Sequence, residues 1–170
     1  MNKSARILLF AFLYVQAITG FGQHVPRQRL ALGVYPLSIP QVGANALFMT
    51  NLSYDYTLKN TGEGLAVGAF ATYVRRGDPR VTETVLGPRV SYNYQKNRMT
   101  MFFGVGVGYG WQTGQPDAGT SNVRLKYNVG LAYRLLGPLG LQLEMSNYRN
   151  LTTTSLGYLP LPMIGLNAQF

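Results

Sequence analysis

The sequence has no cysteine, which excludes disulfides, thiol catalysis and thiolate metal sites. A small exported fold made from it must be held by its hydrogen-bonded sheet or by lipid. Histidine is almost as scarce. His24 is the sole one, and it falls outside every segment with strand character. A serine nucleophile needs a base held within hydrogen-bond reach, most often histidine, so a Ser–His pair on a rigid element is excluded. No histidine-rich or carboxylate cluster suggests a metal site, and no cofactor is expected. Acidic residues are few, 6 Asp+Glu against 15 Lys+Arg. Beyond residue 18 no stretch approaches the ~20 apolar residues of a spanning helix.

The one long apolar run lies at the start. Lys3 and Arg6 precede an apolar core over 7–18, interrupted by Gln16, and the small residues Gly20 and Gly22 follow. That is the layout of a secretory leader, with cleavage expected after Gly22. The run is too short to anchor the chain as a helix. The expected organisation is a signal peptide over 1–22 and one domain over 23–170. Lys3 and Arg6 leave with the leader, so the formal charge of +9 falls to about +7. In an exported chain that balance points to anionic headgroups or lipopolysaccharide phosphates, and away from nucleic acid.

What the sequence has in abundance is alternation with period two, the signature of strands. Over 99–112, Met99, Met101, Phe103, Val105, Val107, Tyr109 and Trp111 form one face, and Gly104, Gly106, Gly108 and Gly110 dominate the other. The glycines alternate strictly, so this is not a dinucleotide loop. Over 122–135, Val123 to Leu135 in steps of two oppose Arg124, Lys126, Asn128 and Arg134. Segments 139–148, 51–58 and 85–95 alternate similarly, placing Glu144, Asp55 and Arg89 on their polar faces. Weaker strands, apolar on both faces, are expected at 29–36 and 65–75, and the last strand at 161–170. The connections then alternate in length. Those at 59–64, 96–98 and 136–138 are short, and those at 37–47, 76–82, 113–121 and 149–160 are mostly longer. Such alternation suits an all-β, eight-stranded antiparallel up-and-down transmembrane β-barrel preceded by a signal peptide.

Alternation alone leaves the polarity open: a soluble lipocalin-like barrel buries its apolar faces, whereas a membrane barrel turns them outward. Three features favour lipid. Aromatic residues gather at the expected strand ends, where ring and polar tip suit the headgroup region. One set is Tyr35, Phe48, Tyr73, Tyr109, Trp111, Tyr148 and Tyr158. The other is Tyr54, Tyr56, Tyr92, Tyr94, Phe103, Tyr133 and Phe170. The glycine stripe gives room, inside a narrow barrel, to arginines and tyrosines from the opposite wall. Finally, Ile164, Leu166, Ala168 and Phe170 alternate up to the last residue.

That terminal pattern resembles the assembly signal of outer-membrane barrels. With the leader and the strands it makes residues 28–170 similar to the small OmpA/OmpX-type, porin-like outer-membrane barrels. The resemblance implies the outer membrane of a Gram-negative bacterium, and recognition of the last strand by the barrel-insertion machinery. The OmpA type also carries a periplasmic domain, for which no residues follow Phe170.

Interior charges must pair, because an unpartnered buried charge is very costly. Asp55 and Glu144 are expected to engage Arg89, Arg124 or Lys126, in a network that plugs the lumen. Arg75, Arg76, Arg80 and Arg149 fall at the long-loop rim, where guanidinium groups suit lipopolysaccharide phosphates. Asp78 completes an Arg-Gly-Asp tripeptide, which is ordinary turn chemistry. The expected role is non-enzymatic, structural or surface-interacting. The alternatives are a small pore or part of a transport or secretion assembly, and a lipid-modifying enzyme, which the missing histidine disfavours.

Overall fold

A computed structural model describes residues 26–35, 48–76, 81–114, 122–151 and 161–170. The expected leader, His24, Asp78, Arg80 and Tyr158 lie outside them. Eight strands follow one another: β1 (Gln28–Val34), β2 (Phe48–Thr57), β3 (Gly64–Arg76), β4 (Val81–Lys96), β5 (Met99–Thr113), β6 (Asn122–Leu136), β7 (Leu139–Asn150) and β8 (Leu161–Gln169). Each pairs antiparallel with its neighbours in sequence, and β1 pairs with β8, closing the barrel. Closure leaves no sheet edge, so strand N–H and C=O groups find partners without water.

Closure is completed by the last residue. The Phe170 carbonyl accepts hydrogen bonds from the amides of Arg27 at 3.1 Å and Gln28 at 2.8 Å, and its own amide donates to Gln28. The short turns at 97–98 and 137–138 place Asn97 and Gly137 at φ of 56° and 54°. Asparagine and glycine tolerate this left-handed region, which suits tight hairpins.

Polarity is inverted relative to a water-soluble fold. Val107 and Leu143 are 46% and 52% exposed, whereas Asp55 and Lys126 are 0% and 1% exposed. On β5 and β7 the alternation is almost unbroken, with apolar residues outside and polar or small ones inside. An exterior of Leu, Val, Met, Phe and Tyr is compatible with hydrocarbon and costly in water. The expected faces of β2, β4, β5, β6 and β7 are all observed.

Two expectations need correction. Tyr35 and Tyr148 do not join the outer aromatic rims. They are buried in the lumen with Met49, Phe70, Val74, Val85 and Met163, as an apolar cluster in its long-loop half. Their parity decides this, because each shares its face with inward-pointing neighbours. The second correction concerns β4, which begins at Val81 instead of 85. Arg76 and Val81 are paired, so β3 and β4 run together almost to the 77–80 connection.

Candidate functional site

The lumen holds the protein's concentration of polar chemistry, and strand parity delivers it there. At its centre is Asp55 of β2. One carboxylate oxygen, Oδ2, accepts from Arg29 Nη2 at 2.5 Å, and the other, Oδ1, lies 3.0 Å from Arg89 Nε. Ser91 Oγ donates to Oδ1 at 3.2 Å. The Arg29 guanidinium also stacks 3.7 Å from the centre of the Phe102 ring, a favourable contact for a planar cation away from water.

A second centre lies around Glu144. Asn51 Nδ2 donates to its Oε1 at 3.2 Å and Gln142 Nε2 to its Oε2 at 2.8 Å, while Ser146 donates to Oε1. Lys126 Nζ stands 3.7 Å from the same carboxylate and donates to Asn51 Oδ1 at 2.6 Å. Its ammonium also faces the rings of Phe70 and Tyr148. Tyr148 closes this group through its hydroxyl, 2.8 Å from Thr72 Oγ1. A third pair sits nearer the long-loop rim, where Arg124 reaches Glu83 at 2.7 Å. Towards the short turns the lumen is bridged by Asn93 to Thr57 and Thr100 to Gln169.

The expected lumen residues Asp55, Arg89, Arg124, Lys126 and Glu144 are thus all inside, but they form three groups with different pairings. Asp55 takes Arg89, Glu144 takes Lys126, and Arg124 takes neither. Two partners were not among the expected lumen residues. Glu83 fell between the expected 76–82 connection and a strand read as starting at 85. Arg29 lay on a segment read as apolar on both faces. Arg134 is half-buried at the short-turn end of β6. The glycine stripe does make room, for side chains of β3, β4 and β6 and not for the opposite wall. A Cβ on Gly106 would lie 2.7 Å from the ring of Phe70, on β3. The occupants are Arg89, Val85 and a phenylalanine instead of tyrosines.

Of the arginines expected at the long-loop rim, Arg75 and Arg149 stand apart. Arg75 is exposed on β3 and Arg149 on β7, which the closed strand order sets on opposite sides of the barrel. Arg76 ends β3 beside Arg75, and nothing is described of its side chain. Ile164 and Leu166 face outward on β8, at 53% and 64% exposure. Ala168 pairs with Leu30 and Leu139, between β1 and β7.

No protein-family model matches the chain, and no curated protein matches it by sequence. Solved structures do match its shape. Neisserial surface protein A, NspA, aligns with a TM-score of 0.58 at 11% identity, covering 84% of this chain and 95% of that one. The Yersinia pestis outer membrane protein Ail aligns at 0.57 and 13% identity, covering 85% and 99%. The N-terminal β-barrel domain of Pseudomonas aeruginosa OprF aligns at 0.56 and 11% identity, covering 85% and 98%. Across closed topology, inverted polarity and these likenesses, the chain has the fold of the small eight-stranded outer-membrane β-barrels.

Proposed function

We propose that this chain is an integral outer-membrane barrel of a Gram-negative bacterium, with its lumen plugged by side chains and a structural or surface-interaction role. One observation carries the reading. Asp55, wholly buried, is shared by Arg29 and Arg89, so paired charge occupies the centre of a lumen that eight strands already make narrow. The lumen carboxylates Asp55, Glu83 and Glu144 are each engaged by a cation. That supports a packing role and no catalysis. On this reading Arg75 and Arg149 contact lipopolysaccharide phosphates at separate points around the rim, and Arg76 and Arg80 are further candidate contacts by their place in the sequence. Ile164, Leu166, Ala168 and Phe170 form the strand that the insertion machinery reads.

The deciding experiment is planar-bilayer recording of the refolded protein at high salt. A plugged barrel gives no steady single-channel steps. Reproducible steps would replace this reading with that of a small pore. Mass spectrometry of lipid A from cells with and without the protein tests the absence of catalysis, and an altered acylation pattern would overturn it.

A further inference from the structure

The exterior is not uniformly convex. A groove of about 460 Å³ crosses β4 to β7 in the short-turn half of the barrel. Tyr92 and Tyr94 bound it on β4, Met101 and Phe103 continue it on β5, and Leu131 and Leu143 extend it over β6 and β7. Its lining also reaches Gly130 and Phe102, which are register partners of inward parity, and the Phe102 ring fills the space that a side chain at 130 would take. The volume falls in the range of small-molecule sites, roughly 300–1,000 Å³.

One end of this groove is basic. Lys96 follows Tyr94 by one full pleat, so both project from the outer face, about 7 Å apart along the strand. Lys96 pairs with Met99, and Arg98 stands in the turn between them. Lys96, Asn97 and Arg98 are all exposed. Arg134, half-buried, lies alongside, its amide donating to the Arg98 carbonyl at 2.8 Å. Among the described acidic residues, Asp55, Glu83 and Glu144 are buried in the lumen and Glu63 belongs to the β2–β3 turn. The charge at the groove's end therefore stays positive.

An apolar trough ending in exposed cations, with tyrosines at the junction, has the polarity of one ligand class. We infer that this face binds an anionic glycerophospholipid, its acyl chains in the groove and its phosphate beside Lys96 and Arg98. The inference rests on the membrane-barrel reading. In such barrels the short turns face the periplasm, so the groove meets the inner leaflet, where glycerophospholipids are and lipopolysaccharide is not. Each cation near the surface contributes about 1 kcal/mol, roughly a fivefold preference for an anionic headgroup.

The test is native mass spectrometry of the full chain released from nanodiscs of equal phosphatidylethanolamine and phosphatidylglycerol. The wild type should retain phosphatidylglycerol in clear excess over its share. Lys96→Gln should lower that excess about fivefold and the Lys96→Gln/Arg98→Gln pair should bring it near parity, while Lys59→Gln, on another turn of the same rim, should leave it in place. Leu131→Trp, which fills the groove, should reduce retention of both lipids. Retention in proportion to the membrane by the wild type would overturn the site, as would an undiminished preference in the double variant. Two further results would also overturn it: preferential retention of added lipopolysaccharide, or a lipid-free dimer bound through this face. Heat-modifiable gel migration, run on each sample, separates this failure from failure of the barrel reading, which would abolish the folded band in the wild type itself.

Discussion

Gly104 and Arg89 compete for one volume: a Cβ on Gly104 would stand 2.5 Å from Arg89 Nη2. The strand with the least side chain thus accommodates the side chain that reaches Asp55, and Phe70 uses Gly106 and Gly108 next to it in the same way. Glycine weakens a strand by its entropy, so its repetition here reflects packing of the lumen. The two positions should respond differently. At Gly104 the obstructing atoms are the far ends of two many-rotamer side chains, Arg89 and Asn128. At Gly106 they are the Phe70 ring and the Pro88 backbone carbonyl. Gly104→Ala should cost less than about 1 kcal/mol, and Gly106→Ala about 1–3 kcal/mol, the range for overpacking. Urea unfolding of the barrel refolded in vesicles measures both, and equal costs would contradict the difference in what yields.

Asp55 should be the least replaceable polar residue in the lumen. Removing its charge leaves Arg29 and Arg89 together without their shared carboxylate. Breaking a buried pair from one side costs about 3–5 kcal/mol. Asp55→Asn is therefore expected to destabilise by about that much in the same unfolding assay. Arg29→Met should cost clearly less, since Asp55 keeps Arg89 and the long apolar side chain still meets Phe102. If the two substitutions cost the same, the carboxylate is not the hub that the distances describe.

Phe70 offers a way to open the lumen without touching a charge. Its ring is buried against Gly106, Gly108 and the Lys126 ammonium, 5.0 Å from the ring centre. Phe70→Ala should cost about 3–5 kcal/mol and leave space beside a charged group, which water enters readily. In a planar bilayer the variant should show small conductance events that the wild type lacks. Silence in a variant shown to be folded would mean that the ionic layers block the lumen by themselves.

Much of this was legible in the sequence because a barrel wall is a strict two-state pattern. Met99 through Trp111 and Leu139 through Met145 alternate without a break, and parity alone assigned their faces. Parity also put Asp55, Arg89, Arg124, Lys126 and Glu144 inside. It could not choose partners, because pairing depends on strand register and tilt around a closed cylinder. Arg124 meets Glu83 across strands far apart in sequence, and no local pattern encodes that distance. The interior aromatics were hidden for a different reason. Tyr148 and Phe70 sit on the lumen face among polar or small residues, where an apolar ring looks out of phase. A rule that every inward residue of a membrane barrel is hydrophilic fails where a narrow lumen must also be filled.

Trp111 is the sequence's one tryptophan, and it makes the membrane position measurable. It is exposed on the outer face near the long-loop end of β5, 6.5 Å from the ring of Tyr109. An indole there belongs at the headgroup boundary, where its ring meets acyl chain and its N–H meets water or phosphate. In vesicles its emission should shift to the blue relative to the urea-unfolded chain. Lipids brominated near the carboxyl end of the acyl chain should quench it more than lipids brominated near the terminal methyl. Moving the reporter inward with a Trp111→Phe, Val107→Trp variant should reverse that order, because Val107 lies four residues, about 13 Å, further along the same outer face. The pair of profiles gives the depth of the wall directly. Quenching of Trp111 chiefly from the bilayer centre would mean that the apolar band is centred nearer the long-loop end of the barrel than its aromatic residues indicate.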